Sequence, residues 1–271
     1  MSGRDRSDDK PTQDISPTCF ETLIEAAESL GPEVDESSHW RQLELERYEL
    51  VRELGRGGMG LVFLARQTEP VERAVALKLV RRRVLNPSNL ARFEVERQAL
   101  AQMQHPAIAQ VFDAGTTSEG YPYFAMEYVD GVPLDAYCRD HRLALPERLE
   151  LFGRICQGVQ HAHQKGIIHR DLKPANILVT RVDGQAVPKI IDFGIAVTAA
   201  ESAERQRRRT RAETIGTPEY MSPEQFRHPH AAIDTRSDVY SLGVILHELL
   251  VEEPPLGRER FSRTDRPDEI A

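Results

Sequence analysis

His169-Arg170-Asp171-Leu172-Lys173-Pro174-Ala175-Asn176 sets a carboxylate, an ammonium group and a carboxamide at fixed offsets along one short stretch. Asp171 is suited to accept a proton from an attacking hydroxyl, Lys173 to neutralise a phosphoryl oxygen, and Asn176 to hold a metal ion. Singly, Asp171 and Asn176 read as well as helix-capping residues. Together they point to phosphoryl-transfer chemistry, and the flanking sequence tests that reading.

The chain has 271 residues, enough for one or two domains. Its 40% hydrophobic and 29% charged residues are an ordinary globular balance. A formal net charge of −8 argues against nucleic-acid binding through the overall field. Cys19, Cys138 and Cys156 form no CxxC pair, which excludes a disulfide framework or zinc site and fits a reducing, cytoplasmic setting. The first ten residues are largely polar and charged with no apolar run behind them, so no secretory leader is expected. The apolar stretch 239–251 carries His247 and Glu248 and is too short to span a bilayer, so no membrane segment is expected.

Residues 1–45 read as a separate, acidic segment. Residues 1–17 are polar and expected to be disordered, and 31–38 reads as linker. Between them Phe20, Leu23, Ile24, Ala27 and Leu30 have helical spacing, which fits either a short amphipathic helix or a frayed tail. From Tyr48 the texture changes. Residues 48–54, 61–66, 74–80, 111–114 and 123–128 read as strands, and 88–103 as a helix. The spacing thus predicts a five-stranded lobe with one helix over 48–130. Over 131–255 the chain is mainly helical, with helices at 134–141, 146–166 and 237–250. The second of these carries Leu149, Phe152, Ile155, Val159 and Ala162 on one face. A strand pair, 177–180 and 189–191, surrounds Asp183-Gly184, a polar stretch covers 197–218, and 256–271 is a charged tail. No internal repeat is visible.

Gly55-Arg56-Gly57-Gly58-Met59-Gly60 lets backbone approach a phosphate closely. Alone it also fits a plain hairpin turn. A strand follows the glycines, not a helix, which disfavours a dinucleotide-binding turn and fits a lid over nucleotide phosphates. Lys78 lies within the apolar run Val75-Ala76-Leu77-Lys78, where an unpaired ammonium is costly. Glu96 is the candidate partner and Glu94 the rival; an edge-strand lysine in solvent is the plain alternative.

These features, in this order, resemble a protein kinase catalytic domain over about residues 48–255. Val-Ala-Leu-Lys ends at Lys78, His-Arg-Asp-Leu-Lys-Pro-Ala-Asn is similar to the catalytic loop, and Asp192-Phe193-Gly194 to the magnesium-binding motif. Met221-Ser222-Pro223-Glu224 stands where the family has Ala-Pro-Glu, and 237–243 resembles its central helix. The resemblance implies an α+β, bilobal kinase-like fold: a five-stranded antiparallel N-lobe sheet with one helix above a mainly helical C-lobe. It implies ATP and Mg²⁺, with Mn²⁺ as a substitute, and protein substrates bearing Ser or Thr. Asp171 would deprotonate the hydroxyl, Lys173 contact the γ-phosphate, and Asn176 and Asp192 hold the metal. Lys78, paired with Glu96, would hold the α- and β-phosphates. Leu54, Gly55, Gly57, Gly60, Val62 and Ala76 would cover the nucleotide and Leu178 lie beneath it. Met126 would be the gatekeeper, with the Glu127 carbonyl and Val129 amide on the adenine edge. Leu100, Phe112, His169 and Phe193 would stack between the lobes.

Lys173 and Gly216-Thr217-Pro218-Glu219-Tyr220 resemble serine/threonine kinases, and the wording overall is similar to bacterial members. Thr210 and Thr214 are the candidate activation-loop phosphosites, with Arg170 as the cation to meet the phosphate and Thr217 shaping the site. Against the family pattern the C-lobe is expected to be truncated. Glu224 would then lack its usual arginine, and the apolar face of 239–250 would call for a partner or second copy. A kinase-like module that binds nucleotide or a partner without catalysis is the rival function; a small-molecule kinase is a third.

Overall fold

The computed structural model describes residues 45–57, 60–80, 100, 102–193, 218–227 and 233–252, all within the compact unit Leu43–Ala271. The expectations for 1–44, for most of the 88–103 helix, for 197–217 and for the tail lie outside these residues.

The first half is an antiparallel sheet of β1 (Tyr48–Gly57), β2 (Gly60–Gln67), β3 (Arg73–Val80), β4 (Val111–Thr116) and β5 (Pro122–Glu127). Its order is β1-β2-β3-β5-β4. Burial along the strands follows position in the sheet. In β2, Leu61, Phe63 and Ala65 are buried in alternation. Central β3 has neighbours on both sides, and Val75 to Val80 are all buried. Twist brings the two sheet edges together: the Arg47 guanidinium and the Tyr48 hydroxyl both donate to Asp113 Oδ2, at 2.9 and 2.7 Å. Burial, then the bond to Asp113, pushes the Tyr48 phenol above its ordinary value.

One expectation fails here. Phe112 does not join the stack between the halves. The strand register shifts between Val111 and Asp113, and the Phe112 ring lies under the Arg73 guanidinium at 3.7 Å. Val111 and Ala114 are the residues of β4 that pack on the core instead.

The second half comprises β6 (Val132–Pro133), α1 (Leu134–Asp140), α2 (Leu145–Gln164), β7 (Ile177–Val182), β8 (Gln185–Ile190), α3 (Pro223–Arg227) and α4 (Thr235–Val251). The β7–β8 hairpin is longer than its apolar pattern suggested. Asp183 and Gly184, at φ 49° and 80°, make the two-residue turn that fixes its register out to Val182–Gln185. Glu147 accepts from the Ala144 N–H at 2.8 Å, half of a capping box at the start of α2. The buried face of α2 is Leu151, Ile155, Val159 and Ala162; Leu149, expected there, is exposed, because the stripe follows 151, 155, 159 and 162. Gly158 lets α2 approach β8, since a Cβ there would lie 3.0 Å from Ile190 Cδ1.

Asp234 caps α4 by accepting from the Arg236 N–H. The helix buries Val244, Ile245 and Leu249, and exposes Val239, Leu250 and Val251. β8 straps the halves together. Ile190 donates to Ala107 O and accepts from Ala109 N, at 2.8 and 2.9 Å, and Lys189 pairs with Glu127 at 2.8 Å. The described part of the Leu43–Ala271 unit is therefore a five-stranded antiparallel sheet beside a mainly helical part, the α+β, two-part arrangement expected.

Candidate active site

Asp171, Lys173 and Asn176 converge on one carboxylate. Lys173 Nζ donates to Asp171 Oδ2 at 2.9 Å. Asn176 Nδ2 donates to the Asp171 carbonyl at 2.7 Å and to Oδ2 at 3.2 Å. Pro174–Asn176 forms a single 3₁₀ turn, which folds Asn176 back over Asp171. Both contacts of Asn176 Nδ2 are to oxygens, so the amide orientation is fixed and Oδ1 is the atom left to meet a cation.

Buried His169 aligns the loop beneath. Its Nε2 faces the Ile191 carbonyl at 3.0 Å and its Nδ1 faces the Asp171 N–H at 3.3 Å. Those two partners require the neutral ring with the proton on Nε2. Burial holds its pKa below the ordinary histidine value, against the pull of Asp238. Its ring lies against Phe193, 4.8 Å between centroids.

Asp192 follows at φ 60°, and its Oδ1 takes the Lys78 ammonium at 2.7 Å. Lys78 is 6% exposed, on β3 between Val62 and Phe124. Burial alone would raise the Asp192 carboxyl, but the charge and hydrogen bond of Lys78 outweigh it and hold it below the ordinary carboxylate range. Glu96 and Glu94 lie outside the described residues; the partner seen for Lys78 is Asp192.

The residues expected around a nucleotide fall on adjoining strands. Val62 is on β2, Ala76 pairs with Met126 across β3 and β5, and Leu178 is on β7. Gly55 pairs with Val62 and Gly57 with Gly60, while Leu54 is exposed. Val129 is buried, and the Glu127 side chain is taken up by Lys189. Thr210, Thr214, Thr217 and Gly194 lie outside the described residues. Arg170 sits beside Asp171 at φ 66°.

Two residues with no predicted role hold the loop. Asp238, 1% exposed at the start of α4, accepts from the His169 N–H, the Arg170 N–H and His163 Nε2, at 2.8, 2.8 and 2.7 Å. Its sequence signal was an acid inside an apolar helix, which burial forces to find donors. Gln225 donates to the Arg170 carbonyl at 2.7 Å. Glu224 accepts from the Ser237 hydroxyl at 2.7 Å, a partner the sequence did not suggest.

Asp192 and Asn176 offer hard oxygen donors suited to Mg²⁺, and about a third of the Asp192 side chain is open. Among the described residues no group of three His, Cys, Asp or Glu side chains is placed to hold a metal ion.

Residues 48–268 match the protein kinase domain family. The serine/threonine-protein kinase PknB of Mycolicibacterium smegmatis is 45% identical over 78% of this chain and 33% of that protein. A probable serine/threonine-protein kinase of Streptomyces coelicolor, SCO3848, is 44% identical over 77% of this chain and 31% of that protein. The chain thus spans about a third of the length of these relatives. The crystal structure of the Mycobacterium tuberculosis PknI kinase domain superposes with a TM-score of 0.61 at 28% identity, over 84% of this chain and 82% of that one.

Proposed function

The chain belongs to the protein kinase domain family, and on that premise we propose that it transfers the γ-phosphoryl group of ATP to serine or threonine hydroxyls of proteins, in bacterial signalling. The observation that carries the proposal is the convergence of Lys173 and Asn176 on Asp171, beside an Asp192 held ionised by Lys78. The names of the relatives support serine and threonine as acceptors.

In this mechanism Asp171 orients the acceptor hydroxyl and takes its proton as the oxygen attacks phosphorus. The new O–P bond forms as the bond to the ADP oxygen breaks, and Lys173 neutralises charge on the moving phosphoryl group. Lys78 holds the α- and β-phosphates, and residues 55–60 cover them. Leu54, Val62, Ala76, Met126 and Leu178 enclose the base, with Glu127 and Val129 on its edge. Asn176 and Asp192 would hold Mg²⁺ or Mn²⁺, which supplies positive charge across the phosphate oxygens. Glu96 is the partner proposed for Lys78 in that role. Phosphorylation of Thr210 or Thr214, met by Arg170, is the proposed activating modification, and Thr217 shapes the acceptor site. Among the described residues no helix is long and apolar enough to cross a membrane; a cytoplasmic site of action is part of the proposal.

The test is labelled ATP with a generic basic protein, comparing the chain with Asp171→Asn. A loss of roughly 10²-fold or more is expected in the variant. Equal transfer by both proteins would refute the assignment of Asp171. Nucleotide binding without transfer by either would favour a non-catalytic binding module.

A further inference from the structure

We propose that Gln225 is a positioning residue for Asp171, acting through the peptide that joins Arg170 to Asp171. The proposal rests on the phosphoryl-transfer function above and adds a residue that lies 54 positions beyond the proton acceptor.

Ser222-Pro223-Glu224-Gln225 has the form of a helix start: Ser at the cap, Pro at the first position and Gln at the third. Gln225 Oε1 accepts from the Ser222 N–H and hydroxyl, at 3.1 and 3.0 Å. That uses the oxygen end of the carboxamide. The nitrogen end points away from the cap and donates to the Arg170 carbonyl at 2.7 Å. Flipping the amide would set nitrogen against the Ser222 N–H and oxygen against the Arg170 carbonyl, so the orientation is unambiguous.

The Arg170–Asp171 peptide is therefore gripped at both polar atoms. Its carbonyl is held by Gln225 and its N–H by His169 Nδ1. The preceding N–H, that of Arg170, is fixed to Asp238 Oδ1 at 2.8 Å. These bonds matter because Arg170 is at φ 66°, a left-handed conformation that an L residue keeps only when its surroundings hold it there. Ser222 is fully buried, and neighbouring Glu224 is bonded to Ser237 of α4, so the residue that grips the carbonyl is itself anchored. If Gln225 served only the cap, glutamate would do as well, since either supplies the accepting oxygen. Only glutamine can also donate to the carbonyl.

That difference gives the test, made on the full chain. Gln225→Glu should keep a melting temperature near wild type and an unchanged KM for ATP, while kcat falls roughly ten-fold. Amide exchange at Arg170 and Asp171 should quicken. Wild-type kcat together with wild-type exchange in Gln225→Glu would overturn the proposal. Should the wild-type chain transfer no phosphate, the proposed function fails separately, and exchange alone decides: faster exchange supports the grip, unchanged exchange rejects it. If the new carboxylate unfolds the chain, Gln225→Met is compared with Ser222→Ala. Both weaken the cap, but only the first frees the carbonyl, so a lower kcat for Gln225→Met supports the role and equal kcat rejects it.

Discussion

Protonation of His169 would place an N–H where the Asp171 amide already donates. The neutral ring meets two partners that face it from opposite sides, the Ile191 carbonyl and the Asp171 N–H. Burial depresses its pKa below the ordinary value of about 6.5 that the unfolded chain keeps. In acid, then, the unfolded chain takes up this proton first. The contribution of His169 to stability is whole above that unfolded value and is lost as pH falls below it, toward the folded value. Nitrogen-detected NMR of the histidine rings should show His169 mainly neutral at about pH 6.5, with the proton on Nε2; a mainly charged ring at that pH would contradict the assignment. Asp192 has the opposite balance: burial opposes its charge, and Lys78 restores it. One site thus keeps a base neutral and an acid ionised by local contacts alone.

At the scale of elements, the turn between β1 and β2 constrains its glycines unequally. Among the described residues no heavy atom beyond its chain neighbours lies within 4 Å of the place a Cβ of Gly55 would occupy. At Gly60 a Cβ would fall 1.8 Å from the Leu79 carbonyl oxygen, with the backbone at φ 154°. Gly60→Ala therefore forces β2 away from β3. It should lower stability by about 2 kcal/mol or more and weaken nucleotide binding, whereas Gly55→Ala should stay within about 1 kcal/mol, as denaturant titration and nucleotide titration would read. β2 and α2 were legible because each repeats its apolar residues at its own period, and central β3 as an unbroken apolar run. The exceptions have local causes. A register shift puts Phe112 under Arg73, and β6 and α3, two and five residues long and absent from the sequence reading, are too short to carry a pattern. Asp171, Lys173 and Asn176 were readable because six consecutive residues hold all three. Gln225 and Asp238 were not, since they reach Arg170 across 55 and 68 residues, and only the placement of α3 and α4 brings them there.

Across the whole molecule, two aspartates each gather donors from distant segments, yet they should fail differently when removed. Asp113 ties the two edges of the first sheet through Arg47 and Tyr48, and its side chain is 28% exposed. Water can take over part of those bonds, so Asp113→Ala should cost about 1–2 kcal/mol and leave turnover per folded molecule unchanged. Asp238 is nearly fully enclosed and receives two backbone N–H groups of the loop that carries Asp171, together with His163. Without it those donors stay buried and unpaired, at about 1–3 kcal/mol each. Asp238→Ala should therefore lower stability by about 3–5 kcal/mol, a shift of roughly 10 °C in melting temperature for a chain of this size. It should also lower kcat of the remaining folded protein, because Arg170 is no longer held in its left-handed conformation. Melting curves and turnover, measured on both variants at a temperature where each is folded, separate the cases. Equal turnover in the two would mean that α4 supports the fold without positioning the catalytic loop.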